Sequence, residues 1–218
     1  MVVVASEAME TVAVAARLTR QLSKQCALLL RCSDDDVGDV LAKTYAARAI
    51  STSRMAASFV AAYADKHAIR SCVILGANSI GRRLGALMQD RRATTYTLVD
   101  PEPRTLAGLD HTLAGSPSDI GVLANAGVKT AELVVLTGND LGQNLVAVDR
   151  IRDLNPWCRI VCRIFEEDAA EVLKQKPFSC EVISTSKHAV EMLVREGAFR
   201  PVRIERVARS LPVKAVAA

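Results

Sequence analysis

The sequence repeats itself. Sliding the chain from residue 2 to residue 134 lays Val2-Val-Val-Ala-Ser6 on Val134-Val-Leu-Thr-Gly138. The same shift lays Cys26-Ala-Leu-Leu-Leu-Arg31 on Cys158-Arg-Ile-Val-Cys-Arg163. With one residue inserted, Ile50-Ser-Thr-Ser53 then falls on Ile183-Ser-Thr-Ser186. One such match is cheap. Several in the same order with a single gap identify two copies of one supersecondary unit, over 2–65 and 134–197.

Each copy reads as strand, helix, strand, helix, strand, helix. In the second copy, Leu133-Val-Val-Leu is a short continuous apolar run, the pattern of a strand buried on both faces of a parallel sheet. Leu145, Val148, Ile151 and Leu154 follow at helical spacing until Asn155-Pro156 ends that helix. Arg159-Ile-Val-Cys-Arg is the next strand, Glu167 to Lys176 a helix, and Cys180-Glu-Val-Ile a third strand. Ser186 is placed to cap a last helix from Lys187 to Glu196. Between the copies lie a strand Ser71-Cys-Val-Ile-Leu, a helix from Arg82 to Arg91 and a strand ending at Asp100. A helix near Pro103 to Leu109, a weak strand at 111–114 and a helix from Ser118 to Ala126 complete this stretch. The alternation predicts an α/β, doubly wound, Rossmann-like parallel sheet with right-handed crossovers.

A length of 218 residues fits neither one domain nor two, and the repeat explains why. Residues 67–197 make one complete domain, residues 1–66 the C-terminal half of another copy, and residues 198–218 a basic tail. A three-strand fragment exposes the edge and flank of Val2-Val-Val, where a first half packs. Either a longer chain supplies that half, or a partner or second copy covers the surface, so a homodimer or higher oligomer is expected.

Charge and cysteine content narrow the function. The formal charge of +4 belongs to residues 195–218, which hold six basic residues and two acids. The body is balanced and only 4% aromatic, unlike a nucleic-acid-binding face, where basic and aromatic side chains interleave. Half the residues are hydrophobic, which excludes a disordered chain. The start lacks a basic segment followed by a long apolar run, so neither export nor membrane insertion is expected. The six cysteines match no zinc spacing and sit in apolar runs, as reduced thiols of a cytoplasmic protein do. No metal site is expected.

The chemistry concentrates at strand ends. Gly76-Ala-Asn-Ser-Ile-Gly81 follows a strand and opens a helix, and Asp100 closes the next strand. In that context a glycine turn aims backbone N–H groups at a pyrophosphate while the acid accepts from ribose hydroxyls. Gly76, Asn78, Ser79, Ile80, Gly81 and Asp100 are therefore candidate cofactor-binding residues. Asn78 takes the place of the usual middle glycine, which leaves two readings: a nucleotide cleft, or a turn that has kept its shape and lost its ligand. Thr137-Gly138-Asn139-Asp140 and Arg163 lie at two further strand ends. Arg163 either pairs with a phosphate or bridges to Glu166 or Asp168. His67, His111 and His188 are far apart in sequence, and none accompanies a nucleophile motif, so no catalytic residue is assigned.

Taken together, Gly76-x-x-x-x-Gly81-Arg, Asp100, Val122-Leu-Ala-Asn-Ala-Gly127, Thr137-Gly-Asn-Asp140 with Asn144, and Arg163 resemble the regulator of potassium conductance (RCK) domain, also called the Trk-type N domain. The half copy at 2–65 resembles the end of a preceding domain of that kind. The resemblance implies a cytoplasmic regulatory module rather than an enzyme, which binds NAD(H), another adenine nucleotide or an ion in its cleft and gates a potassium channel or transporter. The alternatives are an NAD-dependent oxidoreductase and an interaction domain with a vacant cleft. Asn78, and Gly115-Ser-Pro-Ser-Asp119 where the family has an acid directly after the glycine, depart from the family pattern.

Overall fold

The computed structural model describes residues 1–184 except 7, 33, 92–93 and 165–166, together with 190, 191 and 194. Its strands form two parallel sheets. The smaller sheet holds β1 (Val2–Val4), β2 (Leu28–Cys32) and β3 (Arg48–Ser51) in that order. Helices α1 (Met9–Leu22) and α2 (Asp35–Thr44) make its crossovers, and α3 (Thr52–Lys66) follows. The larger sheet is built from β4 (Ser71–Leu75), β5 (Thr95–Asp100), β6 (Thr112–Ala114), β7 (Leu133–Leu136), β8 (Arg159–Ile164) and β9 (Glu181–Ser184). Its order is β6-β5-β4-β7-β8-β9. The chain winds outward from β4 through β5 to β6, returns to β7 on the other side of β4, and winds outward again. This is the doubly wound α/β architecture, with its switch point between β4 and β7.

The two faces of the larger sheet are covered differently. Helices α5 (Ile120–Asn125), α6 (Leu141–Leu154) and α7 (Glu167–Lys174) pack one face against Val73, Leu75, Val134, Leu136, Ile160 and Cys162. On the other face, α4 (Ser79–Gln89) shares a core with α3: Ala56, Ala57, Val60, Ala61 and Ala64 of α3 meet Leu84 and Met88 of α4 over Ile74, Val135 and Val161. The alternation along β4, odd residues to one core and even to the other, is why its sequence is an unbroken apolar run. The alanine stripe of α3 lets that helix sit close to the sheet and to α4.

Two arginines, one beside each sheet, form matched clamps. Near the end of α1, Arg20 donates to the carbonyls of Ser23, Cys26, Tyr45 and Ala46. In α6, Arg152 donates to those of Pro156, Cys158, Phe178 and Ser179. Each arginine ties the helix end to the turn before the following strand and to the loop before its outermost strand. Ala46 and Ser179, the second residue of each pair of loop acceptors, share a left-handed backbone with φ of 44° and 48°. The guanidinium gathers carbonyls that a helix end and a turn leave without partners.

Several sequence expectations shift by a few residues. The helix expected from Arg82 begins at Ser79, because Asn78 caps it. The helix expected near Pro103 to Leu109 is a single 3₁₀ turn over Pro103–Leu106, after which the chain passes through Gly108 at φ +76°. Ser186, the helix from Lys187 and the basic tail lie outside the described residues. Among the described residues β1 pairs with β2 alone, whereas β7 pairs with β4 and β8. Val2 and Val3 on that open edge are 37% and 38% exposed. At the amino end of β8, far from the switch point, stands Trp157, the chain's single tryptophan, 92% exposed.

Candidate functional site

The switch point brings together most of the residues singled out by sequence. Gly76 leaves β4 at φ +105°, and a Cβ there would stand 2.5 Å from Thr137 Oγ1. A Cβ on Gly81 would lie 1.9 Å from the Gly76 carbonyl oxygen. Both positions therefore require glycine for the turn itself, before any ligand is considered. Thr137, fully buried at the end of β7, donates its hydroxyl to the carbonyls of Leu75 and Gly76 at 3.0 and 2.9 Å and welds the two strand ends together.

Asn78 occupies the middle of the turn. Its Oδ1 accepts from the backbone N–H groups of Ile80 and Gly81 at 3.0 and 3.1 Å, and its Nδ2 donates to the Thr137 carbonyl at 2.9 Å. The N–H groups that a helix N-terminus offers to a phosphate are thus taken by the chain's own carboxamide. Ile80 contributes only this N–H, since its side chain is buried in the core.

Asp100 ends β5 beside the turn. Its Oδ2 accepts from the Ala77 N–H at 2.7 Å, and its Oδ1 from the Glu102 N–H at 3.0 Å and the Thr105 hydroxyl at 2.8 Å. Burial alone raises its pKa, but these three donors and the nearby Arg82 guanidinium outweigh it and hold the carboxyl below its ordinary range. Arg82 donates Nε–H to the Ala77 carbonyl at 2.9 Å, bracing the turn from the helix side. A carboxylate has room for about four acceptor bonds, so Asp100 retains capacity for one more donor.

The third group of residues frames the far side. Asp140 caps α6 by accepting from the Gln143 N–H at 2.8 Å. Asn144 donates to the Gly138 carbonyl at 3.3 Å and to the Arg163 carbonyl at 3.5 Å, linking the loop after β7 to the carboxyl end of β8. Asn139 lies in the same loop, between Gly138 and Asp140. Glu166, one of the partners weighed for Arg163, lies outside the described residues.

A cavity of about 730 Å³ opens on the outer side of the glycine turn. Ala77, Asn78, Ser79 and Arg82 form one wall, and Asp34, Asp36 and Ser53, beside the smaller sheet, form the other. Between the walls, Asp35 in the first turn of α2 is ion-paired with Arg83 of α4 and with Arg54 of α3 at 3.5 Å. Its side chain is only 9% exposed. Residues 34–36 thus supply an acidic rim that lies outside the sequence motifs. A signal was present: Asp34-Asp35-Asp36 stands one repeat before Glu166-Glu167-Asp168. Thr105, which donates to Asp100, stands in no motif because its role comes from tertiary placement, and the motif that ends in Arg82 gives no sign that its guanidinium braces the turn.

A glycine turn at a switch point, an acid closing the second strand and a β7 loop hydrogen-bonded to that turn coincide with one family over residues 72–185, just over half of the chain. The chain belongs to the TrkA-N domain family. No curated protein sequence matches it. Among solved structures, this TrkA-N chain is similar to GsuK bound to ADP, with a TM-score of 0.74 and 19% identity over 88% of this chain and 50% of that one. The GsuK channel bound to NAD gives a TM-score of 0.71 and 13% identity over 90% of this chain and 52% of that one. The Kef CTD of Shewanella denitrificans in its AMP-bound form gives 0.52 and 20% identity over 59% of this chain and 80% of that one. At these identities the likeness is one of fold. The TrkA-N chain spans about half the length of the GsuK structures.

Proposed function

We propose that this chain is a cytoplasmic ligand-sensing module of a potassium channel or transporter, and that it binds an adenine nucleotide or NAD(H) at the β4–β7 switch point. The observation that carries the reading is the turn from Gly76 to Gly81 set against Asp100 and the Thr137 loop, at the place where open α/β sheets bind ligands. The fold likeness to GsuK bound to ADP or NAD and to an AMP-bound Kef domain supports it.

In this reading the adenosine end of the ligand lies toward Asp100, whose remaining acceptor site takes a ribose hydroxyl. Its phosphates lie toward the N-terminus of α4, where they displace the Asn78 carboxamide. Because the half copy forms the opposite wall of the cavity, ligand entry changes the distance between Asp35 and Arg83. That change is the output which a membrane partner reads, provided the ligand binds the two arrangements with different affinities. A homodimer or larger assembly covers the open β1 edge. The truncated-copy arrangement, with residues 1–66 as the second half of a domain, belongs to the same proposal.

Calorimetry of the purified chain with AMP, ADP, ATP, NAD and NADH tests it. Saturable binding of at least one, weakened by Asp100→Ala with the fold retained, is expected. Absence of binding by all five to a folded chain would sink it.

A further inference from the structure

The cavity beside the glycine turn carries a charge pattern that opposes a polyphosphate. Four carboxylates line it: Asp34, Asp35 and Asp36 at the start of α2, and Asp90 at the end of α4. Arg82 and Arg83 line it as well, but both are engaged. Arg83 is ion-paired with Asp35, which Arg54 also holds at 3.5 Å. Arg82 keeps its Nε–H on the Ala77 carbonyl, beside Asp100. Asp34, Asp36 and Asp90 are exposed and have no ion-pair partner among the described residues.

Position matters as much as number. The Asp34 carboxylate accepts from the Val37 N–H at 3.0 Å, which pins it at the head of α2. Ala77, Asn78 and Ser79 line the same cavity, so the heads of α2 and α4 look into one space. A phosphate at the head of α4 finds donors in the Ile80 and Gly81 N–H groups once Asn78 releases them. Beyond that head the lining offers carboxylates and no unengaged cation among the described residues, and like charges repel across water within a Debye length.

We propose, on the reading of the switch point as a nucleotide site, that Asp34 and Asp36 set its specificity by charge. The site takes a nucleoside monophosphate or a dinucleotide and excludes a nucleoside triphosphate. In AMP the single phosphate rests on the α4 N–H groups, and in NAD both phosphates are esterified and carry little charge. The outer phosphates of ATP reach toward the head of α2 and meet Asp34 and Asp36. Asp35 takes no part in the selection, because Arg83 and Arg54 balance its charge.

Calorimetry of the full chain with NAD, AMP, ADP and ATP tests this, in EDTA so that no divalent cation neutralises the phosphates. At about 0.01 M ionic strength, where the Debye length is about 30 Å, affinity is expected to fall from AMP to ADP to ATP. ATP is expected to bind about tenfold or more weaker than the tighter of AMP and NAD. The double variant Asp34→Asn, Asp36→Asn narrows that ratio to about threefold or less. Its fold is checked by circular dichroism, and asparagine serves as an N-cap as well as aspartate does. Salt at about 1 M, with a Debye length of about 3 Å, narrows the ratio in the parent chain too. ATP binding as tightly as AMP and NAD, or a ratio that the double variant leaves unchanged, overturns the charge selection and leaves the nucleotide site standing. Binding by none of the four, to parent or variant, removes the nucleotide reading itself and the selection with it. If the double variant does not fold, the order of the four ligands in the parent chain and its salt dependence decide.

Discussion

Asn78 stands where a dinucleotide site of this shape has a glycine, and it does what a phosphate would do, accepting from two N–H groups at the start of α4. Replacing it with glycine is expected to tighten nucleotide binding about tenfold, because the anion no longer competes with a built-in cap. The change costs only about 1 kcal/mol of stability, since glycine is itself tolerated at an N-cap. Parallel calorimetry and thermal melting check both halves. Gly81→Ala behaves differently: its Cβ would meet the Gly76 carbonyl, backbone that cannot step aside. A loss of about 3 kcal/mol or more is expected in chemical denaturation, with or without ligand. Asp100 gives the pH dependence. Its folded pKa lies below the ordinary value of 3.8, so its ionised form adds stability above that value, lost as the pH falls through the folded pKa. Thr105→Val removes one of its donors and moves its titration upward, toward 3.8, as carboxyl NMR would record.

At the level of elements, the two arginine clamps invite a matched experiment. Arg152→Ala strips donors from four carbonyls and Arg20→Ala does the same one repeat earlier. Each is expected to cost about 3 kcal/mol, read by denaturant unfolding, with faster amide exchange confined to the strand ends its own clamp holds. The clamps also show how far sequence alone reaches. The order and alternation of strands were legible because buried parallel strands such as Leu133–Leu136 are apolar runs between helical periods. The start of α4 was not, because the capping role of Asn78 depends on a side chain folding back on its own helix. The helix expected after Asp100 shrank to one turn, since its donors are drawn to Asp100 and Glu102. In the site, the glycines and Asp100 could be found by spacing. The Asp35–Arg83 contact could not, because it joins residues 48 apart across two sheets.

On the scale of the molecule, α3, which follows the last strand of the smaller sheet, closes the second face of the larger one. Among the described residues, β1 of the smaller sheet keeps an open edge. Val3→Lys on that edge is expected to convert an assembled species into a monomer in sedimentation at micromolar concentration, with the circular dichroism spectrum unchanged. An unchanged sedimentation coefficient would move the interface elsewhere. Trp157, meanwhile, makes the protein its own optical instrument. As the chain's sole indole, solvated at the amino end of β8, it cannot touch a nucleotide at the carboxyl ends of β4 and β7. With AMP, ADP, ATP or NAD, which do not absorb where indole emits, its emission is therefore silent to mere occupancy, and a change in its colour on adding one of them records strain transmitted along the sheet.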